Sequence, residues 1–259
     1  MPKLSICIIG FGKVGKHLAA VFERKRIPVR AIYNRSKFIP PTDELKSVQV
    51  YHDILDLPDQ ADIYILSVSD DVVRQVAGSL PSSIKNNKIV AHTSGIHSLD
   101  IFPPEVKRPG VFYPLNTFSP KKNITWSTTP IYISGETKTA QKLRSLAQMI
   151  SNRVYTLNDE QKKILHLAAV ITNNFPTHLF IQAHNLLKRH ELDFTHLRPL
   201  IITMVKNLDK DPLESIQTGP ALRGDEETLR KHLELLSNNP QLKEIYRSLS
   251  KSINKDLNI

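Results

Sequence analysis

The feature that most constrains this chain is a glycine spacing, Gly10-x-Gly12-x-x-Gly15, set between an apolar run and an amphipathic one. Residues 4–9 are short, apolar and rich in β-branched side chains, which predicts a strand buried on both faces. Residues 13–25 place Val14, Leu18, Ala19, Val21 and Phe22 at helical spacing. The glycine spacing alone is common. A glycine loop that ends a strand and opens a helix is far more specific. There the first glycine permits a tight turn, the second lets the backbone approach a pyrophosphate, and the third lets helix and strand pack closely. The helix start adds free N–H groups and a partial positive charge. Gly10, Phe11, Gly12, Lys13, Val14 and Gly15 are therefore the predicted phosphate loop of a dinucleotide site.

The rest of the first half alternates in the same way. Residues 29–33, 48–51, 62–68 and 88–92 read as strands, and residues 71–80 as a helix. Residues 110–118 and 130–134 read as further strands, followed by a helix over 138–151 and a short strand over 153–157. Strand and helix in repetition predict a parallel, doubly wound α/β sheet of Rossmann type. At Asn158-Asp159 the pattern changes. Either residue can cap a helix, and Glu160 falls in its first turn. Helical periods then run over 160–189, 194–208, 226–236 and 241–253, with a Pro- and Gly-containing loop over 211–224. The predicted organisation is a cofactor domain, 1–157, and an all-helical domain, 158–259.

The turn after the second strand bears on which dinucleotide is bound. An NAD site usually carries Asp or Glu there to hold the ribose hydroxyls. This chain has Asn34-Arg35-Ser36-Lys37, with no carboxylate between Glu23 and Asp43. Arg35 can pair with a 2′-phosphate and Ser36 can donate to it, which favours NADP(H). The competing reading of Arg35 and Lys37 is a solvated loop. After the fourth strand, Val68, Ser69 and Asp70 are expected near the cofactor, with Asp70 and Asp71 also able to cap the next helix. Thr93, Ser94 and Gly95, after His92, occupy the equivalent place one strand on. The polar cluster Tyr113-Pro114-Leu115-Asn116-Thr117-Phe118 faces the same crevice in this scheme.

Charge supports an anionic ligand. The formal net charge is +10, and residues 1–157 hold 21 basic and 12 acidic side chains against 14 and 13 in residues 158–259. A basic cofactor domain suits a phosphorylated cofactor. Nucleic acid would suit it too, but no recognition motif is present. The single cysteine excludes an intramolecular disulfide and fits a reducing, cytoplasmic setting. No uninterrupted apolar run approaches a membrane span, so no membrane partner is expected.

These segments, with His166-Leu167-Ala168-Ala169-Val170, Asn173-Asn174 and Thr218-Gly219-Pro220-Ala221-Leu222-Arg223-Gly224-Asp225, resemble in order and spacing a family that spans nearly the whole chain. That family pairs a Rossmann-like domain with a helical C-terminal domain of unknown function. Its members are described as NADP oxidoreductases by similarity to deazaflavin-dependent NADP reductases. The chain is more distantly similar to pyrroline-5-carboxylate reductase and to the 6-phosphogluconate and β-hydroxyacid dehydrogenases. The resemblance implies a helical domain of 6-phosphogluconate-dehydrogenase-like type that holds a small-molecule substrate and forms a homodimer. It implies hydride transfer between NADP(H) and a carbonyl, imine or deazaflavin acceptor in the cleft between the domains.

In β-hydroxyacid dehydrogenases a Lys and an Asn on the equivalent helix donate a proton and orient substrate. Here Lys162 and Lys163 fall earlier and His166 stands nearest that role, with Asn173 seven residues on, on the same face of an uninterrupted α-helix. The competing reading is that both are satisfied interior or interface groups. Arg223 is a candidate clamp for a substrate carboxylate or phosphate. Asp225 is the candidate cap of the helix that follows. The missing Lys–Asn pair keeps a non-catalytic, NADP-binding sensor or scaffold as the alternative function.

Overall fold

The structure is a computed structural model, and it describes residues 4–37, 44–119 and 123–259. The chain divides into two compact units, Met1–Val170 and Ile171–Ile259.

The first unit is built on eight strands: β1 (Ile6–Ile9), β2 (Val29–Tyr33), β3 (Gln49–Tyr51), β4 (Ile63–Leu66), β5 (Ile89–His92), β6 (Pro109–Pro114), β7 (Ile131–Gly135) and β8 (Val154–Thr156). They form one sheet in the order β3-β2-β1-β4-β5-β6-β7-β8. All pairings are parallel except β6 with β7, which is antiparallel. That single reversal departs from the wholly parallel sheet expected from the alternation. Only 16 residues, 115–130, separate β6 from β7, and among the described residues no α-helix lies between them.

Among the described residues, four α-helices accompany this sheet: α1 (Lys13–Arg24), α2 (Val73–Ser79), α3 (Ser82–Asn87) and α4 (Thr137–Gln148). The sheet is covered on both faces, as the sequence required. In β1 the side chains of Ile6 and Ile8 join one apolar cluster with Leu18 and Phe22 of α1 and Leu143 and Leu146 of α4. Cys7 and Ile9 join another with Val73 and Ala77 of α2 and Ile84 of α3. Alternate residues of a strand point to opposite faces, so a strand apolar at every position must be covered twice. Burial also pushes the Cys7 thiol far up, so it stays protonated.

The chain runs from β1 outward to β2 and β3, then returns to place β4 on the other side of β1. This reversal leaves a crevice at the carboxyl ends of β1 and β4, the position where open α/β sheets bind ligands.

Helix α5 (Asp159–Ala169) closes the first unit. Asn158 caps it as expected, and does so reciprocally. The Gln161 amide donates to Asn158 Oδ1 at 2.8 Å, and the Asn158 amide donates to Gln161 Oε1 at 3.1 Å. The unit boundary at Val170 falls beyond the 157 at which periodicity changes, because α5 reaches back to the sheet's loops through Lys162, which is 2% exposed.

A five-residue π-helical turn, Val170–Asn174, joins α5 to α6 (Phe175–Arg189). This corrects the sequence argument that set His166 and Asn173 on one face, since a π turn breaks the 3.6-residue phase on which it relied. The second unit continues with α7 (Arg198–Asn207), α8 (Leu213–Ile216), α9 (Pro220–Arg223), α10 (Glu226–Leu235) and α11 (Pro240–Ile253). The expected loop over 211–224 thus contains two short helices. Asp225 caps α10 as expected, accepting from the Thr228 amide at 3.1 Å.

The core of the second unit is small, centred on Ala221, Leu229 and Leu257. Helices α6 and α7 contain no buried residue, although they carry Phe175, Ile181, Leu200, Ile202, Met204 and Val205. By length and apolar composition alone, Asp159–Arg189 is long enough to cross a membrane.

Candidate functional site

The crevice at the ends of β1 and β4 is an open cleft of about 600 Å³. Gly10, Phe11 and Gly12 form one wall, Asn34, Arg35 and Ser36 a second, and Ser67, Val68 and Ser69 a third. The glycines meet the demands read from their spacing. Gly10 has φ +91°, and a Cβ there would lie 2.7 Å from Val68 Cγ1. A Cβ on Gly15 would lie 2.2 Å from the Gly10 carbonyl oxygen, so only glycine lets α1 approach β1 this closely. Gly12 faces open space, its nearest neighbour being 4.0 Å from a notional Cβ. A positive φ at Gly10, no room for a side chain at Gly15 and open space at Gly12 make the arrangement that admits a diphosphate beside the helix start.

Within the loop the side chains divide by role. Phe11 is largely buried at the edge of the cleft, and the partly buried Val14 packs against the core. Lys13 is exposed. Asn34, where an NAD site usually carries a carboxylate, ties two turns together. Its Oδ1 accepts from the Phe11 amide at 3.0 Å, and its Nδ2 donates to the Ser36 carbonyl at 2.6 Å. That pair of bonds fixes the Arg35-Ser36 turn against the glycine loop and leaves both side chains exposed to the cleft. Among the described residues the cleft lining contains one carboxylate, Asp71, which lies beyond β4 rather than at the tip of β2.

Asp70 and Asp71 do not cap a helix with their side chains, which corrects that expectation. They form a 3-10 turn, Asp70–Val72, ahead of α2, and no side-chain cap bond is made at either start.

The turn after β5 is a second centre. Its hydroxyls are committed locally: Ser94 Oγ accepts from the amides of Ile96 and His97 at 3.2 Å each, and Thr93 Oγ1 donates to the Leu66 carbonyl at 3.3 Å. Thr93, Ser94 and Gly95, expected near the cofactor, are not among the residues that line the first cleft. His92 is fully buried and stacks on Phe102 with ring centroids 5.5 Å apart. Burial, reinforced by the Lys162 charge, pulls it down to about 3, so it is neutral.

Three side chains converge on this turn. Lys162 Nζ donates to the carbonyls of His97 and, at 3.5 Å, Ser94. Burial lowers Lys162 to about 8 despite the nearby Asp159 charge. One helical turn on, His166 Nδ1 lies 2.9 Å from the Tyr113 hydroxyl, and the two rings meet edge to face at 6.0 Å. Gly95 leaves the space: a Cβ there would sit 2.4 Å from His166 Nδ1 and 2.9 Å from the Tyr113 ring. The sequence flagged His166 and the 113–118 cluster separately. It did not pair them, and it passed over Lys162, whose four-residue spacing from His166 was the available signal.

In the second unit, Asn173 Nδ2 donates to Asn174 Oδ1 at 3.4 Å, and Arg223 is exposed at the end of α9.

The fold defines a Rossmann-like α/β unit followed by a helical C-terminal region. Residues 1–116 match the family described as a Rossmann-like domain, and residues 129–253 match a domain of unknown function (DUF2520). No curated relative matches the sequence. The chain is 30% identical to a Bacteroides fragilis protein described as a "putative NADP oxidoreductase", with a TM-score of 0.87 and 98% of each chain covered. It therefore belongs to that protein's family, a Rossmann-like domain joined to a DUF2520 domain. A Thermotoga maritima protein is 20% identical, with a TM-score of 0.69 over 96% of this chain and 97% of its own. A reductive aminase from Aspergillus terreus, in complex with NADPH and ethyl levulinate, shares the fold at 14% identity and a TM-score of 0.73, over 98% and 93%.

Proposed function

We propose that this chain is an NADP(H)-dependent oxidoreductase that transfers hydride between the cofactor and a small carbonyl, imine or deazaflavin acceptor. The observation that carries the reading is the Asn34-Arg35-Ser36 turn, held by Asn34 against an open Gly12 backbone at the sheet's switch point. Arg35 offers a planar guanidinium for a 2′-phosphate, and Ser36 a second donor. Gly10 to Gly15 hold the diphosphate by backbone, and Val68, Ser69 and Asp70 border its path. Thr93, Ser94 and Gly95 form the floor on the nicotinamide side. The Bacteroides fragilis relative's description supports the same cofactor.

When bound, the cofactor supplies the hydride, and the protein orients and shields it. His166 is the proposed proton donor or acceptor, with Asn173 and Arg223 orienting the substrate. Residues 1–157 serve as the cofactor domain and residues 158–259 as the substrate and dimerisation domain. Dimerisation is supported by the unburied apolar residues of α6 and α7. The polar Asn173 and Asn174 of the π turn, with His178, Gln182 and His184 of α6, favour a protein neighbour over lipid. Sedimentation at micromolar concentration tests this, a monomer refuting it. A cytoplasmic location agrees with the lone buried thiol.

The deciding experiment has two arms. Thermal shifts with NADP, NAD and a deazaflavin coenzyme read cofactor preference, because only a ligand favouring the folded state raises the midpoint. NADPH oxidation is then followed across carbonyl, imine and deazaflavin panels, with His166→Gln as the control. NADP(H) binding without turnover on any acceptor would move the assignment to a cofactor-binding sensor or scaffold. Preference for NAD would remove the Arg35 argument.

A further inference from the structure

The Tyr113–His166 contact carries more than proximity. Tyr113 lies on β6 with 7% of its surface exposed, and its hydroxyl oxygen is 2.9 Å from His166 Nδ1. A buried phenolic O–H needs an acceptor. Among the described residues Nδ1 is the only hydrogen-bond partner recorded for that oxygen. Burial, with Tyr132 and Asp70 adding to it, pushes Tyr113 up to about 12, so the phenol keeps its proton near neutrality. Two further constraints hold the ring. Lys162, one turn earlier on the same helix, fastens α5 to the 94–97 turn, and Gly95 removes the Cβ that would displace the imidazole.

A neutral imidazole that accepts at Nδ1 carries its proton at Nε2. Resting on the oxidoreductase reading above, we infer that Tyr113 is a positioning residue that donates to His166 Nδ1 and fixes His166 as an Nε2–H donor. In that form His166 polarises the carbonyl or imine of the acceptor by a hydrogen bond, as neutral histidines do elsewhere. No proton leaves Tyr113 in this scheme; as hydride reaches the acceptor carbon, the Nε2 proton passes to the acceptor oxygen or nitrogen and is replaced from solvent. The charged and titratable groups around the pair are Tyr132 beyond Tyr113, Asp70 after β4, and Lys162 and Lys163 on the helix of His166 itself. Specificity follows: the acceptor must present a lone pair, as carbonyl oxygens and imine nitrogens do.

The test is histidine 15N NMR on the full chain without cofactor or acceptor, at a pH where the ring is neutral, with His166→Gln to assign the signal. The expected result is the Nε2–H tautomer, with Nδ1 shifted toward lower frequency by an accepted hydrogen bond. In Tyr113→Phe that shift should collapse toward the value of an unbonded ring nitrogen. A second measurement leaves the fold intact. Replacing all seven tyrosines by 3-fluorotyrosine makes each phenol a stronger donor and should move the His166 Nδ1 signal further the same way. An Nδ1–H tautomer, or an Nδ1 signal indifferent to fluorination, overturns the inference. Turnover by the wild type with none by His166→Gln bears instead on the oxidoreductase reading, so the two can fail separately.

Discussion

Lys162 allows a quantitative test of how the 94–97 turn is held. Its side chain is sealed from solvent, and its ammonium rests on the carbonyls of Ser94 and His97 rather than in hydrocarbon. Burial lowers it to about 8 in the folded chain, against roughly 10.4 when unfolded. A base with a lowered folded value binds its proton less well folded than unfolded. Its contribution to stability is therefore poorest below about pH 8 and improves as pH rises toward the unfolded value. Integrating from about pH 7 to about pH 9.5 gives a gain of about 2 kcal/mol, or roughly 4–8 °C in Tm for a chain of this size. Cys7 opposes this in the same window, because its thiol stays protonated only when folded. The wild-type curve alone is thus uninformative, and the readout is the difference between wild type and Lys162→Met, in which Cys7 cancels. Thermal melts followed by circular dichroism at several pH values should show wild type gaining about 2 kcal/mol on Lys162→Met across this range. A difference that stays constant with pH would refute the buried, charged Lys162 on which the reasoning rests.

Three further outcomes follow from single contacts. Arg35→Ala should weaken NADP(H) binding about 10- to 100-fold by calorimetry while changing NAD(H) binding little, since one charge-assisted bond to a phosphate contributes roughly 1.5–3 kcal/mol. Gly15→Ala places a methyl 2.2 Å from the Gly10 carbonyl oxygen. It should cost about 1–3 kcal/mol in denaturant titrations and abolish the NADP thermal shift. Asn158→Ala removes the Oδ1 half of the α5 cap and leaves the bond from the residue-158 amide to Gln161 Oε1; it should cost about 1 kcal/mol, with cofactor affinity unchanged.

The centre of the sheet was legible because β1 and β4 are apolar at every position. Ile6 to Ile9 can lie only where both faces are covered, and the glycines that follow can serve only a tight strand-to-helix turn. The cap at Asn158 and the cap at Asp225 were legible for the same reason: each is a local hydrogen bond set by residues three apart. Strand direction at β7 was not, because parallel and antiparallel strands share one side-chain period and differ only in how the chain returns. The π turn at Val170–Asn174 left no periodic signal, and it undid the face assigned to Asn173.

Most of the first cleft's lining was legible in the sequence. Those residues directly follow β1, β2 and β4, which are neighbours in the sheet. The Tyr113–His166–Lys162 centre was decided by tertiary structure. Its members are 53 and 65 residues apart from their partners on β6 and the 94–97 turn. No local rule joins them. What does is the docking of α5 on the sheet's loops, where Gly95 leaves room for an imidazole and a buried phenol has an acceptor within 2.9 Å.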